Sequence, residues 1–503
     1  MYTDAFQQLD QQLTELRHFW QFQPFHHSEM PWQDCFPMGN YSTSKASLSL
    51  AQALQELDQN QLEELQQDVH NLARWLTPWI PQAEALISLT EQGVNSVDNL
   101  TTRQIETEQD QLVQKQQPVF NLSTTTRQNS FSAQDELPAE SAQLKRFAQG
   151  IPGRKWQQMR YFVRHLQPWL AQEQKQSQQV TTSDQSVNNC SDSDCKCEPE
   201  NTRHILEWCA GKGHLGRLIA YQQQENPEET ASQDHYQITS LEWQQKLCRQ
   251  GEQEAHKWQL QQSFVHGDAF DQQAGELIQT NTHAVALHAC GDLHCQLIHH
   301  ASQRQARSLL IAPCCYHLIR ADSYKPLSQQ ARQSQIQLSK QDLKIPLQET
   351  VTGGQRIGNL RDTELLWRMA FDQLQKQQLN SNDYMPLPTI PKHLLTGEFK
   401  DFIDWAISNR KLDQCISVDM DVDVKAGVDK LNLDSYLEKG QQRVQQIRRM
   451  ELVQHLFRRP LELWLVLDRM LRLQEAGFHV ELTEFCQKNL TPRNLLIKAY
   501  RSD

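Results

Sequence analysis

The 503-residue sequence lacks the segments that would carry it into or across a membrane. It has no uninterrupted apolar run approaching the roughly 20 residues that a spanning helix needs. The first residues, MYTDAF, contain no basic segment followed by an apolar core, as a secretory signal would. We therefore expect a cytoplasmic protein with no membrane partner. The sequence indicates no oligomeric state.

An excess of positive charge is also missing. The formal net charge of −12 and the pI near 5.9 exclude a protein that is basic throughout, although a local basic face is still compatible with them. The mean hydropathy of −0.70 reflects mostly glutamine, which adds polarity without charge.

Paired C-x-x-C motifs, which are typical of structural zinc sites, are absent as well. The twelve cysteines are therefore expected to be reduced thiols rather than a disulfide framework. Cys190, Cys195 and Cys197 are dense enough to suggest metal binding as an alternative, but their spacing does not favour it. No metal ligand is predicted.

The length predicts two or three structural units. Leucines recur at helical spacing between Leu50 and Leu76, which predicts a helical N-terminal domain over residues 1–140. Residues 141–320 and 476–503 are predicted to form a catalytic domain, with a flexible insertion at 172–201. Residues 321–475 are predicted to be a helical insertion within that domain.

Apolar segments of strand length alternate with helical ones from residue 203 onward, which indicates a parallel sheet with crossover helices. We predict an α/β fold with a Rossmann-like sheet, closed by a hairpin of two late strands. The predicted strands are residues 205–208, 237–241, 264–266, 284–288, 308–312, 479–485 and 494–500.

A glycine-rich turn follows the first predicted strand, in the segment ILEWCAGKGHLGR at 205–217. Gly211, Gly213 and Gly216 form the G-x-G-x-x-G pattern, which lets a backbone approach a nucleotide closely. Glu207 lies just before the turn, where a carboxylate repels a pyrophosphate but can hold the ammonium of a methionine group. This favours S-adenosylmethionine over a dinucleotide. An NAD-dependent oxidoreductase and a non-catalytic cofactor-binding interaction module are the alternatives.

Ligands of open α/β sheets bind at the carboxyl ends of the strands, so the next two strand ends complete the predicted cofactor site. Glu242 can accept both ribose hydroxyls, Asp268 the adenine amino group, and Ala269 can donate its amide. The residues predicted to bind the cofactor are Glu207, Cys209, Gly211, Gly213, Glu242, Asp268, Ala269 and His288.

The fourth and fifth strands end in LHACGDL at 287–293 and APCCYH at 312–317, which should face the transferred methyl group and its acceptor. Side chains there could orient or deprotonate an acceptor hydroxyl or amine. Thiols and imidazoles at this density could instead bind a metal, or the cysteines could be small apolar fillers, which we favour for Cys209 and Cys290. The predicted catalytic residues are Asp292, His288, His317 and Tyr316.

Four segments together resemble the methyltransferase-domain 32 family, which includes the methyltransferase portion of the glutathione S-transferase C-terminal domain-containing protein. They are EWCAGKGHLGR at 207–217, LHACGDL at 287–293, PCCYH at 313–317 and LTPRNLLI at 490–497. The resemblance implies a Rossmann-like fold with S-adenosylmethionine as cofactor, held by Glu207, Gly211, Gly213, Glu242 and Asp268. The sequence departs from the usual pattern at Cys209, where methyltransferases commonly have a glycine.

The paired-cysteine segment is also similar to the Cys-Cys-His-His block of tRNA 2′-O-methyltransferases that modify the acceptor stem, with Tyr316 in place of a histidine. Two basic stretches, 145–164 and 443–472, could bind RNA phosphates, although solvated helix faces explain such stretches equally well. We therefore expect a methyltransferase whose acceptor is RNA, tRNA in particular. A small molecule or a protein is the alternative acceptor.

Overall fold

The computed structural model describes residues 2–38, 47–95, 137–166, 203–225, 236–348, 355–410 and 432–501. The predicted flexible insertion at 172–201, with Cys190, Cys195 and Cys197, lies outside the described residues. The chain divides into two compact units. A sheet unit comprises residues 1–10, 90–347 and 462–503, and a helical unit comprises residues 11–89 and 348–461. No helix within the described ranges is long and apolar enough to cross a membrane.

Seven strands form one sheet in the sheet unit, in the order β3-β2-β1-β4-β5-β7-β6. Strands β1 to β5 pair in parallel, and β7 pairs antiparallel with both β5 and β6. The strands are β1 Arg203–Trp208, β2 Tyr236–Glu242, β3 Gln262–His266, β4 Thr282–Ala286, β5 Ser308–Ile311, β6 His479–Glu484 and β7 Leu495–Tyr500. The predicted Rossmann-like sheet and its closing hairpin are confirmed, although β4 ends two residues earlier than predicted.

The central strands are covered on both faces, which explains why they appear in the sequence as short apolar runs rather than alternating patterns. Every residue of β4 and β5 is buried. The strand order reverses between β1 and β4, so their carboxyl ends open the crevice in which such sheets bind ligands.

Helices make up most of the rest of the described chain. The α-helices are α1 Tyr2–Glu15, α2 Arg17–Trp20, α3 Leu50–Gln55, α4 Gln59–Gln67, α5 Val69–Leu76, α6 Ala83–Asn95, α7 Ala142–Phe147, α8 at residues 153–166, α9 His214–Glu225, α10 Gln245–Lys257, α11 Gln272–Glu276, α12 Asp292–Arg304, α13 Gln329–Arg332, α14 Gln355–Leu379, α15 Phe399–Arg410, α16 Leu433–Leu456 and α17 Arg458–Glu475. Short 3₁₀ helices lie at Pro24–His26, Asp342–Leu347 and Leu394–Thr396.

The core of the sheet unit joins the helix before the sheet to the helix after the glycine turn. Trp156 and Phe162 of α8 and Leu218 of α9 pack in one buried cluster with Ile205 of β1 and Leu310 of β5. The helical residues 153–166 therefore belong to the same folded body as the strands.

The helical unit combines the N-terminal helices with most of the late insertion, which corrects the predicted division into a domain at 1–140 and an insertion at 321–475. Helix α14 packs along α16, where a Cβ at Gly440 would lie 2.7 Å from the backbone nitrogen of Ala370. Side chains of α16 also bind N-terminal carbonyls: Arg443 donates to Pro24 O at 2.8 Å and Gln454 to Trp20 O at 2.8 Å. These long-range contacts join the two sequence segments into one body.

Candidate active site

The glycine turn after β1 adopts a backbone conformation that favours glycine at three positions. Cys209, Gly211 and Gly213 have φ of 57°, 62° and 62°. The turn is tied to its neighbour strand because Ala210 N–H donates to Leu241 O at 2.9 Å. A Cβ at Gly213 would lie 2.4 Å from Phe264 Cζ, whereas nothing lies within 4 Å of a Cβ at Gly211. Gly213 is thus needed because a side chain there would collide with Phe264, whereas Gly211 faces open space.

Glu207 is buried beneath this turn, with 4% of its surface exposed. One carboxylate oxygen accepts from Leu215 N–H at 3.2 Å and the other from the Ser240 hydroxyl at 2.7 Å. Burial raises the pKa of Glu207 to about 7, against the opposing effect of the Ser240 hydrogen bond. In this structure Glu207 fixes the start of α9 on the sheet, and its predicted contact with a methionine ammonium stays a prediction.

Glu242, at the end of β2, holds the glycine turn from the other side. Its two carboxylate oxygens accept from Gly211 N–H at 2.8 Å and from Gln244 N–H at 2.9 Å. Each carboxylate oxygen has a second lone pair, so a hydroxyl ligand can still donate to it. The structure thus brings Glu242 to the open face of Gly211, as the sequence order of the strand ends predicts.

Trp243 is a candidate site residue that the sequence analysis does not name. It follows Glu242 directly, and 67% of its surface is exposed, although large aromatic side chains are usually buried. An exposed ring beside the Glu242 carboxylate offers a flat surface on which a base can stack. The signal in the sequence was the tryptophan placed immediately after a strand-end acid.

The third strand end supplies Asp268, which is half-buried, and Ala269, which is buried. The Asp268 carboxylate accepts from Phe270 N–H at 3.0 Å and so shapes the turn before α11. Gly267 N–H donates to Glu242 O at 3.1 Å, which joins this turn to the end of β2. The predicted cofactor residues of β1, β2 and β3 therefore lie on one connected edge of the sheet.

Two loops, one after β4 and one after β5, form the end of the sheet where the sequence predicts the acceptor, called the acceptor end below, and they are held together by backbone contacts. Cys290 and Cys314 form an isolated parallel bridge, and Gly291 N–H donates to Cys314 O at 3.1 Å. Gly291 has φ of 56°, and a Cβ there would lie 2.0 Å from Leu318 O. Only glycine at position 291 lets the backbone come this close to the Leu318 carbonyl oxygen. The two segments meet, as expected because β4 and β5 are adjacent strands.

The predicted catalytic residues of these loops have different environments. His288 is exposed, and Asp292 begins α12, where its carboxylate accepts from Arg320 N–H at 2.7 Å. His317 is half-buried, and its Nδ1 is buried without a hydrogen-bond partner. His288 and His317 lie on the two loops at the carboxyl ends of β4 and β5, and Asp292 begins the helix that follows the first loop.

Tyr316 points away from this end, which argues against its predicted catalytic role. It is 1% exposed, its hydroxyl donates to Glu462 at 3.2 Å, and the Arg469 guanidinium lies 5.3 Å from its ring centre. An acceptor cannot reach a hydroxyl that is enclosed in the protein. Tyr316 is buried, while its neighbours Cys315 and His317 are half-buried.

Three thiols converge between the two loops. Cys290 Sγ lies 3.5 Å from Cys314 Sγ, and the sulfurs of Cys290, Cys314 and Cys315 all lie within 4.8 Å of one another. Hydrogen bonds from the other two thiols lower the pKa of Cys315 well below its usual range. Cys209 differs, because burial raises the pKa of its thiol to about 12. The sequence predicts that the two cysteine-containing segments converge at one end of the sheet, and the structure brings three of their sulfurs together.

Two cations act on the acceptor end. The charge of Lys155, on α8, interacts with Glu207 and His288, and the charge of Arg493, in the β6–β7 loop, interacts with His288 and Cys315. Lys155 belongs to the basic stretch predicted at 145–164, but the same stretch contains Arg160, whose guanidinium is paired with Glu140 at 2.8 Å. Within this basic stretch, Lys155 therefore acts on the site, whereas Arg160 is paired elsewhere.

The second basic stretch, 443–472, is largely occupied by contacts within the chain. Arg443 and Arg449 donate to backbone carbonyls, Arg448 pairs with Asp362 at 2.8 Å, and Arg469 is fully buried. These four guanidinium groups are held by contacts within the chain, and the predicted RNA contact of the stretch stays a prediction.

Comparison with known proteins identifies a family whose model covers this site. Residues 154–322 match a family model described as a methyltransferase domain. No curated protein matches the chain. Among solved structures, the chain is similar to an uncharacterized protein from Listeria monocytogenes serotype 4b at 10% identity and a TM-score of 0.17, over 48% of this chain and 93% of that chain.

The family match runs from α8 through the glycine turn to the loop after β5, and so contains the strand ends described above. It therefore agrees with the resemblance carried by the segments at 207–217, 287–293 and 313–317. The sheet order, with its antiparallel closing hairpin, agrees with both. Residues 154–322 of this chain are a methyltransferase domain of the methyltransferase-domain 32 family.

Proposed function

We propose that the sheet unit binds S-adenosylmethionine at the edge formed by β1, β2 and β3 and transfers its methyl group to RNA, with tRNA as the first candidate. The observation that carries the cofactor assignment is the pairing of Gly211 with Glu242. The glycine leaves open space, and the carboxylate beside it accepts from the Gly211 amide at 2.8 Å.

The residues at this edge fit S-adenosylmethionine better than a dinucleotide. Glu242 would accept the ribose hydroxyls, Trp243 would stack on the adenine, and Asp268 would accept its amino group. The carboxylates of Glu207 and Glu242 would repel a pyrophosphate, whereas S-adenosylmethionine carries no phosphate. The family match supports the same choice.

Bound S-adenosylmethionine would supply an electrophilic methyl group for in-line displacement. The chain's own residues then have to hold the acceptor in line and take up its proton. We assign proton uptake to His288, because it is the exposed side chain at the end of β4. Asp292 and His317 would orient the acceptor from the two loops.

The cations at the acceptor end favour a polyanionic acceptor. Lys155 and Arg493 come from different elements, yet the charges of both interact with His288. Two positive charges beside the proposed proton acceptor would attract phosphates and position a nucleotide. For this reason we favour RNA over a protein or a small molecule as the acceptor, although the chain as a whole is acidic.

The test is transfer of a labelled methyl group from S-adenosylmethionine to separate RNA, protein and small-molecule fractions. We expect label in RNA, and in the tRNA fraction when RNA is subdivided. Label in the protein or small-molecule fraction alone would contradict the RNA acceptor, and label in none of them would contradict transferase activity.

Charge variants give a matched control for the same assay. Lys155→Ala and Arg493→Ala should each lower kcat/KM for RNA by about 5- to 50-fold, equivalent to about 1–2 kcal/mol. Lys257→Ala is the control, because Lys257 is 67% exposed and pairs with Glu254 on α10. Equal effects of all three variants would contradict phosphate positioning by Lys155 and Arg493.

A further inference from the structure

The thiol cluster of Cys290, Cys314 and Cys315 lies at the acceptor end but has no part in the methyl transfer proposed above. Its sulfurs lie within 4.8 Å of one another, and Cys290 Sγ and Cys314 Sγ are 3.5 Å apart. Sulfurs that bind one tetrahedral zinc at about 2.3 Å are separated by about 3.8 Å. The observed separations therefore match a zinc triad after changes of at most about 1 Å.

Backbone hydrogen bonds, not contacts between the thiols, hold together the two loops that carry the triad. Gly291 N–H donates to Cys314 O at 3.1 Å, and Asp292 N–H donates to Leu318 O at 3.1 Å, so the two loops are fixed together. Cys315 has φ of 47°, a conformation that costs an ordinary residue about 1–2 kcal/mol. A strained backbone of this kind persists where surrounding contacts enforce it. The conformation of Cys315 places its sulfur near those of Cys290 and Cys314.

The charge around the triad suits a divalent cation. Three thiolates and Zn²⁺ carry a net charge of −1, and Arg493 interacts electrostatically with both Cys290 and Cys315. Cys314 is 8% exposed, while Cys290 and Cys315 are half-buried. The group is thus partly shielded on one side and accessible on the other.

A fourth ligand from the described part of the chain does not join the sulfurs. No described imidazole or carboxylate oxygen lies within 4.8 Å of all three sulfur atoms. Zinc sites with three protein ligands and one exchangeable position are those that bind water or substrate, whereas closed four-ligand sites are structural. The accessible side therefore corresponds to the exchangeable position.

We propose that Cys290, Cys314 and Cys315 bind one Zn²⁺ ion, with its fourth position open towards the acceptor end. Thiolate ligands select zinc over magnesium or calcium, which prefer oxygen. The proposal is independent of the methyl donor, because metal binding is measured without donor or acceptor.

The experiment uses the full chain, purified with a non-thiol reductant and stripped of metal. Titration with Co²⁺ should give one equivalent of binding with intense thiolate-to-cobalt charge-transfer absorption, which Zn²⁺ then displaces. Cys315→Ser should weaken binding at least about 100-fold, since even groups that only hydrogen-bond to a ligand contribute about 10- to 100-fold. Cys290→Ala, at the rim of the group, gives the same test if Cys315→Ser does not fold.

Two controls separate this site from the chain's other thiols. Cys486→Ser should leave binding unchanged, because Cys486 is buried in the core cluster of the sheet unit. A combined Cys190→Ser, Cys195→Ser and Cys197→Ser variant should also bind normally. The proposal is overturned if that combined variant loses the metal, if cobalt binding lacks charge-transfer absorption, or if only Cu(I) binds.

Discussion

Gly211 and Gly213 share a backbone conformation, but they are glycines for different reasons. Both have φ of 62°. At Gly213 a side chain would enter the ring of Phe264, whereas at Gly211 it would enter open space. The G-x-G-x-x-G pattern alone does not distinguish these roles, because it records residue type and not surroundings.

Alanine at each position should separate packing from ligand binding. Gly211→Ala should lower the free energy of unfolding by about 1–2 kcal/mol, the cost of left-handed backbone. Gly213→Ala should cost about 1–3 kcal/mol more, because the Cβ overpacks against Phe264. Gly211→Arg should leave a folded protein that no longer binds S-adenosylhomocysteine. Urea unfolding and calorimetry measure these effects, and equal destabilisation by the two alanines would contradict the assignment.

Cys209 adopts the conformation of a glycine while carrying a side chain. Its φ is 57°, at the position where methyltransferases commonly have glycine. Cys209→Gly should therefore be more stable than Cys209→Ala by about 1 kcal/mol, because both lose the thiol but only glycine relieves the strain. Thermal and urea unfolding of the pair measure the difference. A more stable alanine variant would show that the turn relaxes by another route.

Glu207 gives the proposed cofactor site a pH dependence. Burial raises its pKa to about 7, so the carboxyl is mostly neutral at pH 6 and mostly ionised at pH 8. The ammonium of S-adenosylhomocysteine is attracted by the ionised form. Affinity should therefore rise about 10-fold from pH 6 to pH 8, as the ionised fraction does.

The matched variant is Glu207→Gln, which keeps an oxygen for Leu215 N–H but cannot ionise. Its affinity should be low and nearly constant over the same range of pH. A wild-type affinity that falls with rising pH, or that is equally flat, would remove Glu207 from the ammonium site and leave it only the role of fixing α9.

At the scale of elements, α17 holds the two loops of the acceptor end through one buried arginine. Arg469 is fully buried and donates to His294 Nε2 at 2.7 Å and to the Tyr324 hydroxyl at 3.1 Å. Because Nε2 accepts from Arg469, the His294 ring is neutral with its proton on Nδ1, which donates to Ala289 O at 2.8 Å, and burial lowers the pKa of His294 well below its usual value. The late helix thus positions the loop that carries His288 and Cys290.

Arg469→Met should lower the free energy of unfolding by about 3–5 kcal/mol, because it removes one partner of a buried polar network. Arg472→Met on the same helix is the control. The Arg472 side chain is 28% exposed and its guanidinium lies 3.9 Å from Glu475, so its loss should cost about 0–1 kcal/mol. Chemical unfolding measures both variants, and similar costs would contradict a special role for Arg469.

The sequence predicted the strands well and the long-range helix contacts poorly. Strands such as β4 and β5 are short apolar runs between turns, so local pattern is sufficient to find them. Arg443 and Arg449 have the same local pattern as solvated arginines, and only folding brings them to the N-terminal carbonyls. The local pattern of the basic stretch therefore predicts a solvent-exposed surface.

The candidate site also combines features that the sequence predicts with features that depend on long-range packing. Glu242 and Asp268 follow strands, and topology alone places strand ends together, so their convergence was predictable. The inward direction of Tyr316 and the meeting of three sulfurs depend on how two loops pack around Gly291. Side-chain direction in irregular loops is not encoded by a simple period.

At the scale of the whole molecule, the negative net charge of the chain opposes the binding of RNA, the proposed acceptor. The chain carries a formal net charge of −12, so a polyanionic acceptor would meet general repulsion. Lys155 and Arg493 provide local attraction at the end of the sheet where the acceptor is expected. The proposed activity therefore requires a focused positive site and should weaken strongly with added salt.

The most direct test of the central claim is calorimetric titration of the full chain with S-adenosylhomocysteine and, separately, with NADH. We predict binding of S-adenosylhomocysteine alone, weakened about 10- to 100-fold in Glu242→Ala, because each charge-assisted hydrogen bond to a ribose hydroxyl contributes about 1.5–3 kcal/mol. Binding of NADH instead, or of neither ligand, would contradict the assignment of this edge of the sheet to a methyl donor.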